Sequence, residues 1–199
     1  MKRGARRAVS HRAGGTTGPG SVRIVGGRWR GRRLPVPDGD VRPSPDRVRE
    51  TLFNWLAARL PGARCLDLFA GTGVLGFEAL SRGARSVTLV DRDPAVIAHL
   101  MDMRARLEAE QAEILRYDAL AWLASTPPTP YDIVFVDPPF AADLAATVLA
   151  ALATGWVADE GVVYVEAPAL PALPPGWAAL RQDRTRQIAY ALVAPTDTN

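Results

Sequence analysis

Cysteine, histidine and lysine are almost missing from this 199-residue chain. Cys65 is the one cysteine, which excludes a disulfide framework and any cysteine-built zinc cluster. His11 and His99 are the two histidines, one in a polar tail and one mid-helix, too few and too scattered for a metal site or a histidine acid–base pair. Lys2 is the sole lysine, so no lysine-bearing phosphate loop is present. No run approaches the ~18–20 apolar residues that span a bilayer, and the basic start MKRGARR leads into no apolar signal stretch. By elimination the expectation is a cytoplasmic protein with no membrane partner. A mass of 21.4 kDa leaves room for one α/β domain and a short appendage. With 48% hydrophobic residues the chain can fill a core.

Charge is present but divided. The formal net charge is +3, yet residues 1–49 hold thirteen of the 24 basic residues against only Asp38, Asp40 and Asp46. The remainder carries eleven arginines against eighteen acids. A basic arm on a mildly acidic domain implies a polyanionic partner, with nucleic acid the natural one.

Three regions follow. Residues 1–20, rich in Gly, Arg and Thr, read as a disordered basic tail. Residues 21–40 read as a β-hairpin extension in which Val22, Ile24 and Val25 precede Gly26-Gly27 and Leu34 and Val36 lie beyond; it carries Arg28, Trp29, Arg30, Arg32 and Arg33. Residues 41–199 read as the main domain. It opens with a helix from Ser44 as cap and Pro45 as first helical residue to about Leu60, with Val48, Leu52, Trp55, Leu56 and Leu60 on one stripe. Strand, loop and helix then alternate: strands at RCLDLF, SVTLVD, AEILRY, YDIVFVD and GVVYVEA, with helices at 74–81, 94–109, 118–124 and 141–153. Two closing strands, WAALRQDR and RQIAYALVA, have no helix between them. Short buried strands separated by helices make parallel βαβ units, and the last pair gives an antiparallel end. The expected fold is a Rossmann-like α/β domain with a seven-stranded mixed sheet and helices on both faces.

The chemistry is concentrated at strand ends. Asp67-Leu68-Phe69-Ala70-Gly71-Thr72-Gly73 leads from the first strand into a helix, and Gly71, Gly73 and Gly76 satisfy G-x-G-x-x-G. Asp91 ends the next strand, where a carboxylate takes ribose hydroxyls. That fingerprint alone admits NAD or FAD. Asp67 argues otherwise, because a carboxylate at that point repels a pyrophosphate and suits a ligand bringing an ammonium. S-adenosylmethionine (SAM), with its sulfonium, amino-acid end, ribose and adenine, is such a ligand. D-x-F-x-G-x-G resembles motif I of class I SAM-dependent methyltransferases, and by that pattern Asp118-Ala119 contacts the adenine. Asp118 also reads simply as a helix cap, and the two readings are compatible.

The fourth strand ends in Asp137-Pro138-Pro139-Phe140. This tetrad resembles the [DNS]-P-P-[FYW] motif of methyltransferases acting on amino groups conjugated to a ring. The Asp137 carboxylate and the Pro138 carbonyl can accept both hydrogens of such a nitrogen, aiming its lone pair as charge develops. The prolines fix φ and offer no competing N–H. Phe140 can stack on an extruded base. No metal is required.

From Arg23 to Glu166 the chain resembles the bacterial 16S ribosomal RNA guanine-N2 methyltransferases of the RsmD type. The residues that carry it are RIVGGRWRGRRLPVP (23–37), RPSPDRVRETLFNWL (42–56), LDLFAGTGVLGFEALSRGA (66–84), Asp91, IVFVDPPF (133–140) and YVEAP (164–168). A monomer is expected. The resemblance implies an enzyme that methylates one guanine of the assembled or assembling small ribosomal subunit. It implies Asp137, Pro138, Pro139 and Phe140 as catalytic residues. For SAM it implies Asp67, Phe69, Gly71, Gly73, Asp91, Asp118 and Ala119, with Arg49 and Asn54 from the helix over the pocket; Arg49 could instead pair locally with Asp46. The hairpin arginines and Trp29 would hold RNA. One departure is Ala141-Ala142-Asp143, where many members of that family carry basic or glycine residues. The rivals are an N6-adenine DNA methyltransferase, which uses the same tetrad, and a catalytically silent RNA-binding assembly protein.

Overall fold

The β-branched and apolar runs form the strands, and a computed structural model describes residues 20–37, 45–139 and 144–196. The hairpin pairs β1 (Ser21–Arg23) with β2 (Arg33–Pro35) in register Val22↔Leu34, as a separate two-stranded sheet. Helix α1 (Asp46–Trp55) follows. The main sheet contains β3 (Arg64–Asp67), β4 (Ser86–Asp91), β5 (Ala112–Arg116), β6 (Tyr131–Val136), β7 (Val157–Ala167), β8 (Trp177–Arg184) and β9 (Ala189–Pro195). Helices α2 (Val74–Ser81), α3 (Pro94–Leu107), α4 (Ala119–Ser125) and α5 (Leu144–Leu152) connect its parallel part.

The strand order is β5-β4-β3-β6-β7-β9-β8. The first five of these neighbours are parallel, β9 runs antiparallel between β7 and β8, and the mixed seven-stranded sheet expected from the sequence is present. One face packs on α1, α2, α3 and the hairpin through Leu52, Phe53, Phe77, Leu100, Ile24 and Trp29. The other packs on α4 and α5 through Leu123, Val148, Leu149 and Trp156. Burying both faces is why the central strands read as unbroken apolar runs.

Several boundaries differ from the sequence reading. Pro45 occupies the cap position of α1 rather than its first turn, and the regular helix ends at Trp55, beyond which Arg59 and Leu60 donate N–H groups to the Leu56 carbonyl in turns. β7 starts four residues early, at Val157, with a register shift opposite Tyr131 and Ile133. Helix α3 is capped as expected, Asp93 accepting from the Ala95 N–H at 2.8 Å with Pro94 at the first position. The Ser44 cap, the tail over residues 1–19, and Phe140 lie outside the described residues.

Candidate active site

Because β5, β4, β3 and β6 are consecutive and parallel, their carboxyl ends form one rim. Asp118, Asp91, Asp67 and Asp137 stand on it in that order, one per strand. Three inter-strand spacings of ~4.8 Å make the row about 14 Å long.

Asp67 is the most enclosed of the four, at 1% exposure. The backbone N–H groups of Gly76 and Phe69 donate to it, while its Oδ1 is buried with no partner among the described residues. Burial pushes its carboxyl up to about 7; the charge of Asp91 acts in the same direction and the two N–H donors oppose it. The glycine loop beside it is a locked turn. Gly73 donates to the Ala70 carbonyl at 2.6 Å, and Ala70 to that of Val90 at 3.0 Å. Gly73 has φ of 73°, and a Cβ there would sit 2.5 Å from Leu100. Asp91 ties the loop to β4, its Oδ2 accepting the Gly71 N–H at 3.0 Å and its Oδ1 that of Asp93 at 2.9 Å. Phe69 is half-buried beside the loop.

Asp118 is exposed and caps α4, accepting from Ala121 N–H at 3.1 Å, with Ala119 buried behind it. At the other end of the row Asp137 is half-buried, Pro138 buried and Pro139 exposed. The register Val136↔Val165 sets Asp137 beside Glu166 of β7. The Tyr164 hydroxyl donates to Glu166 Oε2 at 2.8 Å, and burial raises that phenol well above its usual value, helped by the charges of Glu166 and Asp137. Neither Tyr164 nor Glu166 was among the expected site residues, although both lie in the quoted YVEAP run. Register alone reveals them. His99, read as an idle mid-helix residue, lies against the glycine loop with Nε2 3.4 Å from the Thr72 carbonyl.

Two expected contacts are not seen among the described residues. The bonds seen for Arg49 run to groups away from the rim. Arg49 is 0% exposed and bridges Asp46, Glu78 and the Arg23 carbonyl, so the local pairing with Asp46 is what forms. Buried guanidinium needs that many acceptors, and they tie α1, α2 and the hairpin together. Asn54 is exposed on α1, and no side-chain bond to the rim is seen among the described residues. Trp29 is likewise not a surface residue. At 6% exposure it belongs to the core, beneath the guanidinium of Arg28 at 5.5 Å. Arg28, Arg30, Arg32 and Arg33 are exposed.

The hairpin tip is seated on the last residue of α2. Arg28 donates to the Ser81 carbonyl at 2.7 Å, Trp29 to Ser81 Oγ at 2.8 Å, and Ser81 Oγ to the Gly26 carbonyl at 2.7 Å. A Cβ on Gly27, at φ of 75°, would collide with the Ser81 carbonyl. Helix α2 leaves the rim at Val74 and descends to Gly83, whose carbonyl accepts from Gly62 just ahead of β3. The tip therefore lies at the amino edge of the sheet, away from Asp137.

The strand order and the acidic rim define a Rossmann-like methyltransferase. Among the described residues no cluster of acidic, histidine or cysteine side chains is arranged for a metal, and no helix is long and apolar enough to cross a membrane. The family model described as Conserved hypothetical protein 95 matches residues 22–194, and the chain belongs to that family. Ribosomal RNA small subunit methyltransferase D of Escherichia coli (strain K12) is 48% identical over 181 residues, covering 88% of this chain and 91% of its own. The protein of the same name from Haemophilus influenzae is 41% identical over 180 residues, covering 87% and 93%. A solved Escherichia coli protein assigned as a methyltransferase superposes with a TM-score of 0.83 at 46% identity, covering 89% of this chain and 99% of that one.

Proposed function

We propose that this chain transfers a methyl group from SAM to the exocyclic N2 of one guanine in 16S rRNA of the small ribosomal subunit, acting as a monomer. The observation that carries the reading is the placement of Asp137-Pro138 one strand away from Asp67 and its glycine loop, in a relative of the small-subunit methyltransferases.

The rim residues fit the donor. Asp67 Oδ1 is a buried acceptor with no partner among the described residues, suited to an ammonium. Asp91 suits the ribose hydroxyls, and Phe69, Asp118 and Ala119 the adenine. Gly71 and Gly73, both at positive φ, let the backbone turn beneath the ligand. When bound, SAM supplies an electrophilic methyl group on a sulfonium. Asp137 and the Pro138 carbonyl accept the two amine hydrogens and so aim the nitrogen lone pair, which resonance with the purine otherwise ties up. The Asp137 carboxylate stabilises the positive charge that grows on the nitrogen during transfer. Pro138, buried, and Pro139, fixed in φ, hold that carbonyl in place. Phe140 stacks on the extruded base. The exposed hairpin arginines form a second grip on RNA at the amino edge, with Trp29 anchoring them from beneath.

The test is transfer from labelled SAM to small subunits purified from a strain lacking the protein, followed by mass spectrometry of the digested RNA. N2-methylguanosine at a single position is expected, and Asp137→Ala should lower transfer by about a hundredfold or more, the scale of losing one transition-state contact. Unmodified guanine together with methylated adenine in DNA would overturn the substrate. An Asp137→Ala protein that rescues every deletion phenotype would overturn the enzyme.

A further inference from the structure

The sheet's antiparallel end brings a second basic element to the reaction rim. β9 starts where β7 stops, in register Ala167↔Ala189, and β8 stops at Arg184, opposite Ala189. The turn over residues 185–188 thus stands at the carboxyl rim, whereas the hairpin tip stands at the amino edge. From Asp137 to β8 is three strand spacings, about 14 Å. The turn and the end of β8 expose Arg181, Arg184 and Arg186 against a single acid, Asp183. Among the described residues none of these three arginines lies within ion-pair distance of a carboxylate.

The element is also held rigidly. Thr185 Oγ1 accepts the N–H groups of Gln187 and Ile188, each at 3.1 Å, and the Ile188 carbonyl accepts the Thr185 N–H at 2.8 Å. Ile188 is buried beneath. Asp183 is occupied by the Arg184 N–H at 2.7 Å and the Tyr190 hydroxyl at 2.9 Å, and the charge of Arg47, in the first turn of α1, falls on it. Charges on an edge strand discourage pairing with another strand whatever their sign. Repelling a strand does not require three cations to one anion, nor a site beside the reacting group. An anionic chain passing Asp137 does. Phosphates are the anions that RNA offers there, and arginine forks match them.

We infer that the β8–β9 turn, with Arg181, Arg184, Arg186 and neighbouring Arg47, grips the phosphate backbone of the RNA strand flanking the methylated nucleotide. This rests on the chain being an RNA methyltransferase.

The experiment compares wild type with Arg181→Gln/Arg184→Gln/Arg186→Gln in methylation of purified, unmodified small subunits over a salt series. The triple variant should raise KM at least about tenfold with little change in kcat, and shrink the log–log salt dependence of RNA affinity by about 2–3, near one per lost phosphate contact. SAM affinity by calorimetry and melting temperature should match wild type. Arg28→Gln/Arg30→Gln at the hairpin tip should raise KM less. If the triple variant melts early, the single Arg186→Gln on the turn replaces it, with an expected loss of about 0.7–0.9 in slope. Active wild type alongside a variant of unchanged KM and slope would overturn this inference alone. A wild type that neither binds nor methylates the subunit would overturn the function proposed above, and this inference with it.

Discussion

Asp67→Asn separates the charge at the heart of the rim from its shape. In the free protein the burial of Asp67 raises its carboxyl from 3.8 to about 7. Folding therefore favours the protonated form. The stability this contributes is full below pH ~3.8, declines as pH rises toward 7, and is gone above it, a loss of about 4 kcal/mol at ~1.4 kcal/mol per pH unit. The asparagine keeps one acceptor for the Gly76 or Phe69 N–H and cannot ionise, so this part of the pH dependence should vanish. SAM binding should behave oppositely. A carboxyl near 7 is ionised in roughly one molecule in eleven at pH 6 and ten in eleven at pH 8, so wild type should bind SAM about tenfold more tightly at pH 8. Asp67→Asn should bind ~1–3 kcal/mol more weakly at pH 8 and show little of that pH dependence. Calorimetry across pH 6–8, paired with urea unfolding of the free proteins over pH 4–8, reads both. A wild-type affinity flat with pH, or a variant that binds SAM as tightly as wild type, would refute Asp67 as the ammonium acceptor.

Trp29→Ala removes a buried indole and the ring under Arg28, and should cost ~3–5 kcal/mol in denaturant unfolding while the SAM affinity of the folded fraction stays near wild type. Asp118→Ala should lose about 1 kcal/mol of stability with the α4 cap. Asp118→Ser should restore that stability without restoring SAM affinity, as melting and calorimetry on the same samples would show.

The parts written in local sequence were the legible ones. SVTLVD and YDIVFVD give β4 and β6 because β-branched residues buried on both faces leave no other assignment. The four acids could be located because each ends a strand or follows it within two residues. What depends on partners far along the chain was hidden. Arg49 resembles a ligand contact until Glu78, 29 residues later, supplies its counter-charge. Trp29 looks solvent-facing among its arginines, but Ser81, 52 residues away, turns the hairpin so that the indole points inward. Glu166 and the β8–β9 turn become part of the site only through register and strand order, which no stretch of local sequence encodes.

The insertion of β9 between β7 and β8 also dictates how the chain can be finished during synthesis. β8 is made first but among the described residues pairs only with β9, so it has no place in the sheet until residues 189–195 can join it. Until then β7, buried over residues 161–167, presents an open apolar edge. A released chain cut short between Arg184 and Ala189 is therefore the species most exposed to aggregation and to chaperone capture.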